Sequence, residues 1–158
     1  MRNNQPVSQR EYAFPDQQRL ISTTDLKGQI TYCNDIFAEV SGFARDELIR
    51  APHNLVRHPD MPAAAFEHLW QTLKGGRSWM GLVKNRCKNG DHYWVSAFAT
   101  PVSRDGKVVE YQSVRTRAQP EQIRAAEALY AALRDGRGAR ADRKSTRLNS
   151  SHARRSRM

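Results

Sequence analysis

Three strand-like segments in the second half of the chain constrain its fold more than any other feature. Residues 79–87, 92–102 and 108–116 are rich in β-branched and aromatic side chains, which is typical of strands. Asn89-Gly90 separates the first segment from the second, and Asp105-Gly106 separates the second from the third. Such dipeptides between strand-like runs are strong signals for hairpin turns. The sequence therefore predicts a three-stranded antiparallel meander.

Two shorter strands and a helix are predicted upstream of the meander. Leu20–Thr24 and residues 29–33 flank a turn that ends at Gly28, which favours a hairpin. Asn34 is placed to cap a helix that begins at residue 35 and stops at Gly42. An Asn side chain can accept a hydrogen bond from the first helical turn, and Gly readily ends a helix.

Two further helical segments precede the meander. Residues 46–49 form a short helical turn, and residues 62–73 contain four apolar residues at the spacing of an amphipathic helix. These four are Phe66, Leu69, Trp70 and Leu73. The order of the elements predicts an α+β fold, with a five-stranded antiparallel sheet and short helices over one face. Such a fold leaves a hollow between helices and sheet, where small ligands commonly bind.

A polar loop precedes the amphipathic helix. Residues 52–62, here called the proline loop, contain three prolines, which restrict the backbone. Its titratable and charged residues are His53, Arg57, His58 and Asp60. Loops held in this way often carry function. A structural alternative stays open, in which Asp60 caps the following helix and Arg57 pairs with it.

The face of the sheet on which Asn85 lies follows from the predicted hairpin. Centring the turn on Asn89-Gly90 pairs Asn85 with Trp94 and Val83 with Ser96, so that Asn85 shares a face with apolar neighbours. Lys84, Arg86 and Lys88 then lie on the other face, in water. A buried amide needs a partner or costs about 1–3 kcal/mol. Asn85 therefore bonds either to nearby backbone or to a polar ligand atom.

Other residues give weaker functional signals. Trp70 fits the core as well as a ligand site, and Trp79 fits the packed start of a strand. The histidines His53, His58, His68 and His92 follow no recognised metal spacing. No catalytic triad motif, Walker loop or GxGxxG pattern is present.

Charge is distributed unevenly along the chain. Of the formal net charge of +10, half lies in residues 142–158. This distribution argues against a nucleic-acid-binding domain. Residues 142–152 have no apolar period and look like a translated sequencing adapter, so we exclude them from fold reasoning. We expect residues 136–158 to be a disordered basic tail.

Length and composition predict one domain with flanking segments in the 158-residue chain. We expect an irregular N-terminal arm at residues 1–19, the domain at 20–117 and an exit helix at 118–135. No run approaches the ~18 apolar residues of a membrane span, and Cys33 and Cys87 lack a paired spacing. These features lead us to expect a cytoplasmic domain.

The segment from residue 20 to residue 117 resembles a PAS domain, and specifically the flavin-binding PAS domain of the bacterial aerotaxis receptor family. Four motifs carry the resemblance. They are Ser-Thr-Thr-Asp-Leu (22–26), Pro-His-Asn-Leu-Val-Arg-His-Pro-Asp-Met-Pro (52–62), Trp-Gln-Thr-Leu-Lys (70–74) and Val-Lys-Asn-Arg-Cys-Lys-Asn-Gly-Asp-His-Tyr-Trp-Val (83–95).

The resemblance implies a PAS fold, non-covalently bound FAD and a sensor of redox state or oxygen, not an enzyme. It implies that Arg57, His58 and Asp60 retain the flavin. It also suggests further residues of the flavin pocket, because these residues lie in motifs that match the family. These are Asn34, His53, Trp70, Trp79 and Asn85.

Members of this family continue into a membrane anchor, a linker and a helical signalling domain that contacts the chemotaxis kinase and its adaptor. We therefore expect the chain to stop before those regions, within a receptor held at the inner membrane. A homodimer is left open. The mechanistic hypothesis is that Asn85, near the flavin N5, changes its hydrogen-bond partner with redox state and shifts the sheet.

Three other readings stay open at this point. A haem-binding PAS sensor would use His53 or His58 as axial ligand. A cofactor-free interaction module would fill the pocket with core side chains. A blue-light flavoprotein would need a cysteine beside the flavin, and this reading is disfavoured because Cys33 and Cys87 lie in predicted strands.

Overall fold

A computed structural model describes residues 4–135, with a five-stranded antiparallel sheet at its centre. The strands are β1 (Leu20–Thr24), β2 (Ile30–Cys33), β3 (Trp79–Arg86), β4 (His92–Arg104) and β5 (Lys107–Arg117). They lie in the order β2-β1-β5-β4-β3, so the last strand in sequence occupies the middle of the sheet. The predicted α+β class and five-stranded sheet are confirmed.

Helices connect β2 to β3, and a further helix follows β5. They are α1 (Asp35–Ser41), α2 (Arg45–Leu48), a 3-10 helix (His53–Val56), α3 (Ala63–Lys74) and α4 (Pro120–Arg134). Within residues 4–135, none of the helices has the length and apolar character that crossing a membrane requires.

Helix α1 begins and ends where the sequence predicts. Asn34 Oδ1 accepts a hydrogen bond from the Phe37 N–H at 3.1 Å, and Gly42 ends the helix with a φ of 77°. The same oxygen accepts the Ile21 N–H at 3.1 Å, and the Asn34 amide donates to the Arg19 carbonyl at 2.9 Å. Asn34 therefore fixes α1 against the start of β1.

The main core lies on the inner face of the sheet, which α1, the proline loop and α3 cover. Ile30, Phe37, Leu48 and Tyr93 are fully buried there. Full burial of each large apolar side chain contributes about 1.5–3 kcal/mol.

Helix α4 packs on the opposite, outer face. Tyr130 and Ala126 of α4 contact Trp94 and Leu82, and the Tyr130 hydroxyl donates to the Leu82 carbonyl at 2.7 Å.

The predicted register of the β3–β4 hairpin is wrong by one residue. Asn85 pairs with Tyr93, not with Trp94, and Val83 pairs with Val95, not with Ser96. The turn is a three-residue loop, residues 88–90, in which Gly90 has a φ of 101°. The prediction assumed a two-residue turn, and one extra loop residue exchanges the faces of the partner strand. Asn85 nevertheless keeps its inward direction.

The prediction that the charged residues of β3 lie in water is wrong for Lys84 and Arg86, which are 6% exposed each. The Lys84 ammonium donates to Asp60 at 2.9 Å, and the Arg86 Nε donates to the Pro6 carbonyl at 2.7 Å. Sequence periodicity gave the correct face but could not show that the N-terminal residues and the proline loop cover it. Lys88 is exposed, as predicted.

The N-terminal residues run along the β3–β4 turn. The Ser8 N–H donates to the Gly90 carbonyl at 2.9 Å, and the His92 N–H donates to the Arg10 carbonyl at 2.8 Å. The division into arm, domain and exit helix stays a prediction. The basic tail at 136–158 and the adapter-like stretch at 142–152 lie outside the described residues.

Candidate functional site

A cavity of about 400 Å³ lies between the inner face of the sheet and the layer formed by the proline loop and α3. This volume falls within the range of about 300–1,000 Å³ that is typical of small-molecule sites. Its apolar walls come from α3 and the sheet, with Phe66, Leu69, Val83 and Ala97 among them.

Four of the eight site residues predicted from the sequence line this cavity. They are His53, Arg57, Trp70 and Asn85. The proline loop contributes the first two, α3 the third and β3 the fourth. Tertiary structure thus brings together side chains that lie up to 32 positions apart in the chain.

Arg57 presents its guanidinium to the cavity. The group lies 3.7 Å from the centre of the Phe66 ring, and its Nε is buried without a hydrogen-bond partner. Burial lowers the pKa of Arg57. The structural alternative raised by the sequence does not form, because Asp60 pairs with Lys84 and the N-cap position of α3 is Pro62, which makes no side-chain cap hydrogen bond. A cation held in this way can bind an anionic group.

Asn85 lies on the inner face of β3, 3% exposed, and its amide nitrogen has no partner in the structure. A buried amide donor without a partner costs about 1–3 kcal/mol. Since Asn85 borders the cavity, a carbonyl or ring nitrogen of a ligand would satisfy it.

Trp70 combines the two roles that the sequence left open. Its indole borders the cavity, packs edge-on against Tyr111 at 5.5 Å between ring centres, and lies against Gly28. One face of the ring is therefore core, and the residue also forms part of the cavity wall.

Two predicted candidates, Asn34 and Trp79, do not line the cavity in this structure. Asn34 caps α1. Trp79 is buried, donates from Nε1 to His68 Nδ1 at 2.9 Å, and lies so close over Gly81 that a Cβ there would approach its ring to 2.4 Å. Their contact with a cofactor stays a prediction.

His58 and Asp60 also lie outside the cavity. His58 is fully buried, and its Nδ1 accepts the Asp60 N–H at 3.0 Å. Burial and the charge of Lys84 lower the pKa of His58 to about 4, so the ring is neutral near pH 7. The Asp60 carboxylate turns to Lys84. A direct role of either residue in holding a cofactor stays a prediction.

Arg115 is a candidate that the sequence reasoning missed. It lies on the inner face of β5, 2% exposed, and lines the cavity. Its guanidinium donates to Ser22 at 2.8 Å and to Ser113 at 2.6 Å, and its Nε has no partner. Burial lowers its pKa to about 10. The alternation Tyr111-Ser113-Arg115 along β5 could have placed it beside the hollow.

The cavity is cationic. Lys27 and Lys74 at its mouth add to Arg57 and Arg115, and none of the described residues that line it is Asp or Glu. Among the ion pairs of residues 4–135, none involves Arg57 or Arg115. A buried cation without a carboxylate is costly. The site therefore favours a ligand that carries negative charge.

His53 lies beside Arg115 at the inner end of the cavity. Its Nε2 is 3.2 Å from the Ser22 hydroxyl and 3.5 Å from Arg115, and its ring stacks on Phe37. Burial, with the charge of Arg115, lowers the pKa of His53 to about 3. The ring is neutral near pH 7 and can donate or accept one hydrogen bond.

Neither cysteine is among the cavity residues. Cys33 contacts Arg45, and Cys87 donates to the Val40 carbonyl with its pKa raised to about 12 by burial. Within residues 4–135, no group of three His, Cys, Asp or Glu side chains is arranged to hold a metal ion.

Comparison with known proteins shows which family this arrangement of sheet, helices and cavity belongs to. Residues 30–115, more than half of the chain, match the family model described as PAS fold. The chain belongs to the PAS-fold family. The predicted membership is confirmed, and the cavity between sheet and helices is the ligand-sized hollow of this PAS domain.

Two curated relatives share the PAS domain. The aerotaxis receptor of Escherichia coli (strain K12) is 56% identical over 131 residues, which cover 83% of this chain and 26% of the relative. The nitrogen fixation regulatory protein of Klebsiella pneumoniae is 32% identical over 82 residues, covering 52% of this chain and 17% of the relative. The chain thus spans about a quarter or less of these proteins.

Solved structures show the same fold. A light-oxygen-voltage domain from a study of a flavin analogue matches with a TM-score of 0.63 and 21% identity, covering 68% of this chain and 83% of its own. The light-state LOV domain of Aureochrome1 matches with a TM-score of 0.64 and 17% identity, covering 69% and 88%. At these identities the likeness concerns the fold alone.

Proposed function

We propose that this PAS domain binds FAD non-covalently and is the redox- or oxygen-sensing module of an aerotaxis-type chemoreceptor. One observation carries the proposal: the cavity combines two arginines that lack carboxylate partners with the buried Asn85 amide, whose nitrogen has no hydrogen-bond partner. The identity to the aerotaxis receptor of Escherichia coli supports the same function.

The residues that line the cavity fit the negative charge and the aromatic ring of FAD. A diphosphate is a natural partner for Arg57, whose guanidinium can bind two oxygens at once. Lys27 and Lys74 at the mouth add positive charge, which favours a dinucleotide over an uncharged ligand. Phe66, Leu69 and Val83 offer an apolar wall to a planar ring, and the Trp70 indole can pack against an aromatic face.

The flavin, when bound, supplies the electron-accepting chemistry. The chain binds and orients it, and tunes the charge around it. The Asn85 amide would donate a hydrogen bond to the bound flavin in one redox state and would change its partner in the other. A change of one hydrogen bond is worth about 1 kcal/mol, which can bias a nearly balanced conformational equilibrium.

The remaining parts of the proposal concern the whole receptor. The domain passes its state to a downstream, membrane-linked signalling domain of the methyl-accepting type, and through it to the chemotaxis kinase and adaptor. The domain itself works in the cytoplasm, in a receptor anchored to the inner membrane. Within a receptor dimer, two copies of the domain would lie close together.

An absorbance spectrum of the purified chain tests the proposal. We expect bands in the blue and near ultraviolet that bleach with dithionite, and release of a molecule with the mass of FAD on heating. Colourless, folded protein that takes up no FAD from micromolar solution would refute flavin binding. An intense Soret band would favour the haem alternative, and release of FMN would refute FAD alone.

A further inference from the structure

The outer side of the proline loop contacts both a strand and the helix that leaves the domain. The Asp60 carboxylate accepts from the Lys84 ammonium of β3 at 2.9 Å. The Asp60 carbonyl accepts from Nη1 of Arg134 in α4 at 2.5 Å. We call Asp60, Lys84 and Arg134 the outer cluster.

We propose that the Asp60–Lys84 pair of the outer cluster positions the proline loop for ligand binding, with Asp60 acting without ligand contact, and that Arg134 transmits the occupancy of the cavity to α4. This inference rests on the proposed FAD binding. It makes Lys84 a positioning residue and Arg134 the contact that couples the loop to α4, and it gives Asp60 a role different from the cofactor contact that the family resemblance implies.

The backbone explains why neighbouring loop residues serve opposite sides. Arg57 forms a bridge with Asn85, and the His58 N–H approaches the Lys84 carbonyl at 3.4 Å, so the loop runs along the edge of β3. Adjacent residues of an extended segment point in opposite directions. Arg57 therefore faces the cavity while His58 is buried on the other side, and the loop cannot shift without moving both contacts.

Charge complementarity holds the loop against β3. The Lys84 side chain is only 8% exposed, and Asp60 is its carboxylate partner. Burial acts to raise the pKa of Asp60, but the hydrogen bond and charge of Lys84, with His58 and Arg134, lower it below its usual value. Loss of the Asp60 carboxylate would leave the buried Lys84 ammonium without compensation. Displacement of the proline loop away from β3 would likewise leave the Lys84 ammonium without its carboxylate partner.

The link to α4 is local and specific. Arg134 occupies the last turn of α4 and contacts the loop backbone, while Tyr130, one turn earlier, bonds to the Leu82 carbonyl of β3. A ligand that fixes Arg57 from inside therefore also fixes the carbonyl that Arg134 uses from outside. The last turn of α4 becomes the part of the exit helix that responds to the ligand.

A double-mutant cycle tests whether Asp60 acts through Lys84. We expect Asp60→Asn and Lys84→Met each to weaken FAD binding roughly tenfold. The double variant should bind no more weakly than either single variant, because both changes remove one interaction. Lys88→Met, which removes an exposed lysine paired with Glu47, should leave affinity unchanged. Additive losses, as from two separate ligand contacts, would overturn the positioning role, as would full affinity in Lys84→Met.

Amide hydrogen exchange of α4 in the full chain tests the transmission. FAD should slow exchange in the last turn of α4, residues 131–134, of the parent protein by about threefold or more. Arg134→Gln should abolish this response and change FAD affinity by no more than about threefold, because coupling between two sites is reciprocal, and Arg124→Gln, an exposed arginine of the same helix, should retain the response. The surface position of Arg134 leaves this variant folded even if the loop variants are not.

The two proposals fail in different ways. A parent protein that takes up no flavin refutes the proposed function and this inference together. A parent protein that binds FAD but shows unchanged exchange in α4, or an Arg134→Gln variant that responds like the parent, refutes this inference and leaves FAD binding intact.

Discussion

The two faces of the sheet differ in how buried positive charge is neutralised. On the outer face, Lys84 bonds to Asp60 and Arg86 bonds to the Pro6 carbonyl. On the inner side, Arg57 and Arg115 face the cavity without a carboxylate and each keeps an Nε without a partner.

This difference separates structural cations from cations that await a ligand. Both faces are buried, so each charge loses water and must recover its interactions elsewhere. The chain itself satisfies Lys84 and Arg86. It leaves Arg57 and Arg115 only partly satisfied, and a cofactor with negative charge would complete their interactions.

Removal of Arg115 gives the largest expected effect. Arg115→Met should weaken FAD binding about 100-fold, since charge-assisted bonds are worth about 1.5–3 kcal/mol each. The ligand-free protein should unfold at an equal or higher temperature, because an uncompensated buried charge is replaced by an apolar group. Fluorescence titration and thermal melts measure the two quantities.

Lys84→Met is the matched comparison for Arg115→Met, because it should lower the melting temperature of the ligand-free protein. The exposed Arg104→Gln serves as a neutral control. A ligand-free Arg115→Met protein with a lower melting temperature than Lys84→Met would break the distinction between the two faces.

Acid should destabilise the folded chain through its buried neutral histidines. The pKa of His58 is lowered to about 4 by burial, then by Lys84, against the opposing effect of Asp60, with His92 and Arg86 adding to the lowering. The unfolded chain binds a proton near pH 6.5 and the folded chain does not. Stability is therefore retained above pH 6.5 and declines as the pH falls towards 4, by about 2 kcal/mol at pH 5.

His53, with a pKa of about 3, should act in the same direction. Urea unfolding between pH 7.5 and 5 measures how the free energy of unfolding depends on pH. His58→Gln should reduce this slope by the contribution of the one proton that His58 takes up on unfolding. An unchanged slope in that variant would show that His58 is charged in the folded protein.

Arg57→Met should have a smaller effect on binding than Arg115→Met, because Arg57 lies nearer to solvent at the cavity. We expect FAD affinity to fall about tenfold, the loss of one charge-assisted bond. The dependence of affinity on salt should also decrease, since a partly exposed cation attracts an anion less at higher ionic strength. Titrations at two salt concentrations check both, and equal salt dependence in parent and variant would exclude Arg57 as a charge contact.

Asn85→Ala should leave most of the affinity in place. The loss of one neutral hydrogen bond amounts to about 1 kcal/mol, or roughly fivefold in binding. The variant should lose the difference in amide exchange of β3 between oxidised and dithionite-reduced protein. Retention of that difference in the variant would show that Asn85 is not required for the redox response.

The smallest expected effect concerns the outer face, where two glycines test whether the N-terminal residues pack against the β3–β4 turn. Gly90 and Gly106 both have positive φ, but a Cβ at Gly90 would lie 2.9 Å from the Pro6 carbonyl, whereas Gly106 faces open space. Gly90→Ala should therefore destabilise the protein by about 1 kcal/mol or more relative to Gly106→Ala. Equal losses in denaturant unfolding would show that the N-terminal residues do not press on the turn.

The sequence predicted the elements because their signals are local. Asn34 and Gly42 bound α1 where expected, since capping depends on residues within one turn. The glycines after Asn89 and Asp105 marked both hairpins of the meander. Only the register of the first hairpin was wrong, because a two-residue and a three-residue turn share the same dipeptide signal.

The candidate site was predicted in part for a related reason. Arg57 and Asn85 could be singled out because a proline loop and a lone amide on an apolar face are visible in the chain. Arg115 was missed, since nothing near it in sequence shows that Ser22 and His53 will surround it. Its environment depends on contacts across 62 and 93 positions of the chain.

By itself the sequence determined the strands, the helices and the loop that carries the charges, because each follows from patterns a few residues long, and the resemblance of its motifs indicated the PAS family. Only the tertiary structure decided which cations the chain neutralises and which it leaves for a ligand. Burial and pairing arise when distant segments meet: Asp60 reaches Lys84 across the sheet edge, and no acidic side chain among the described residues reaches the cavity.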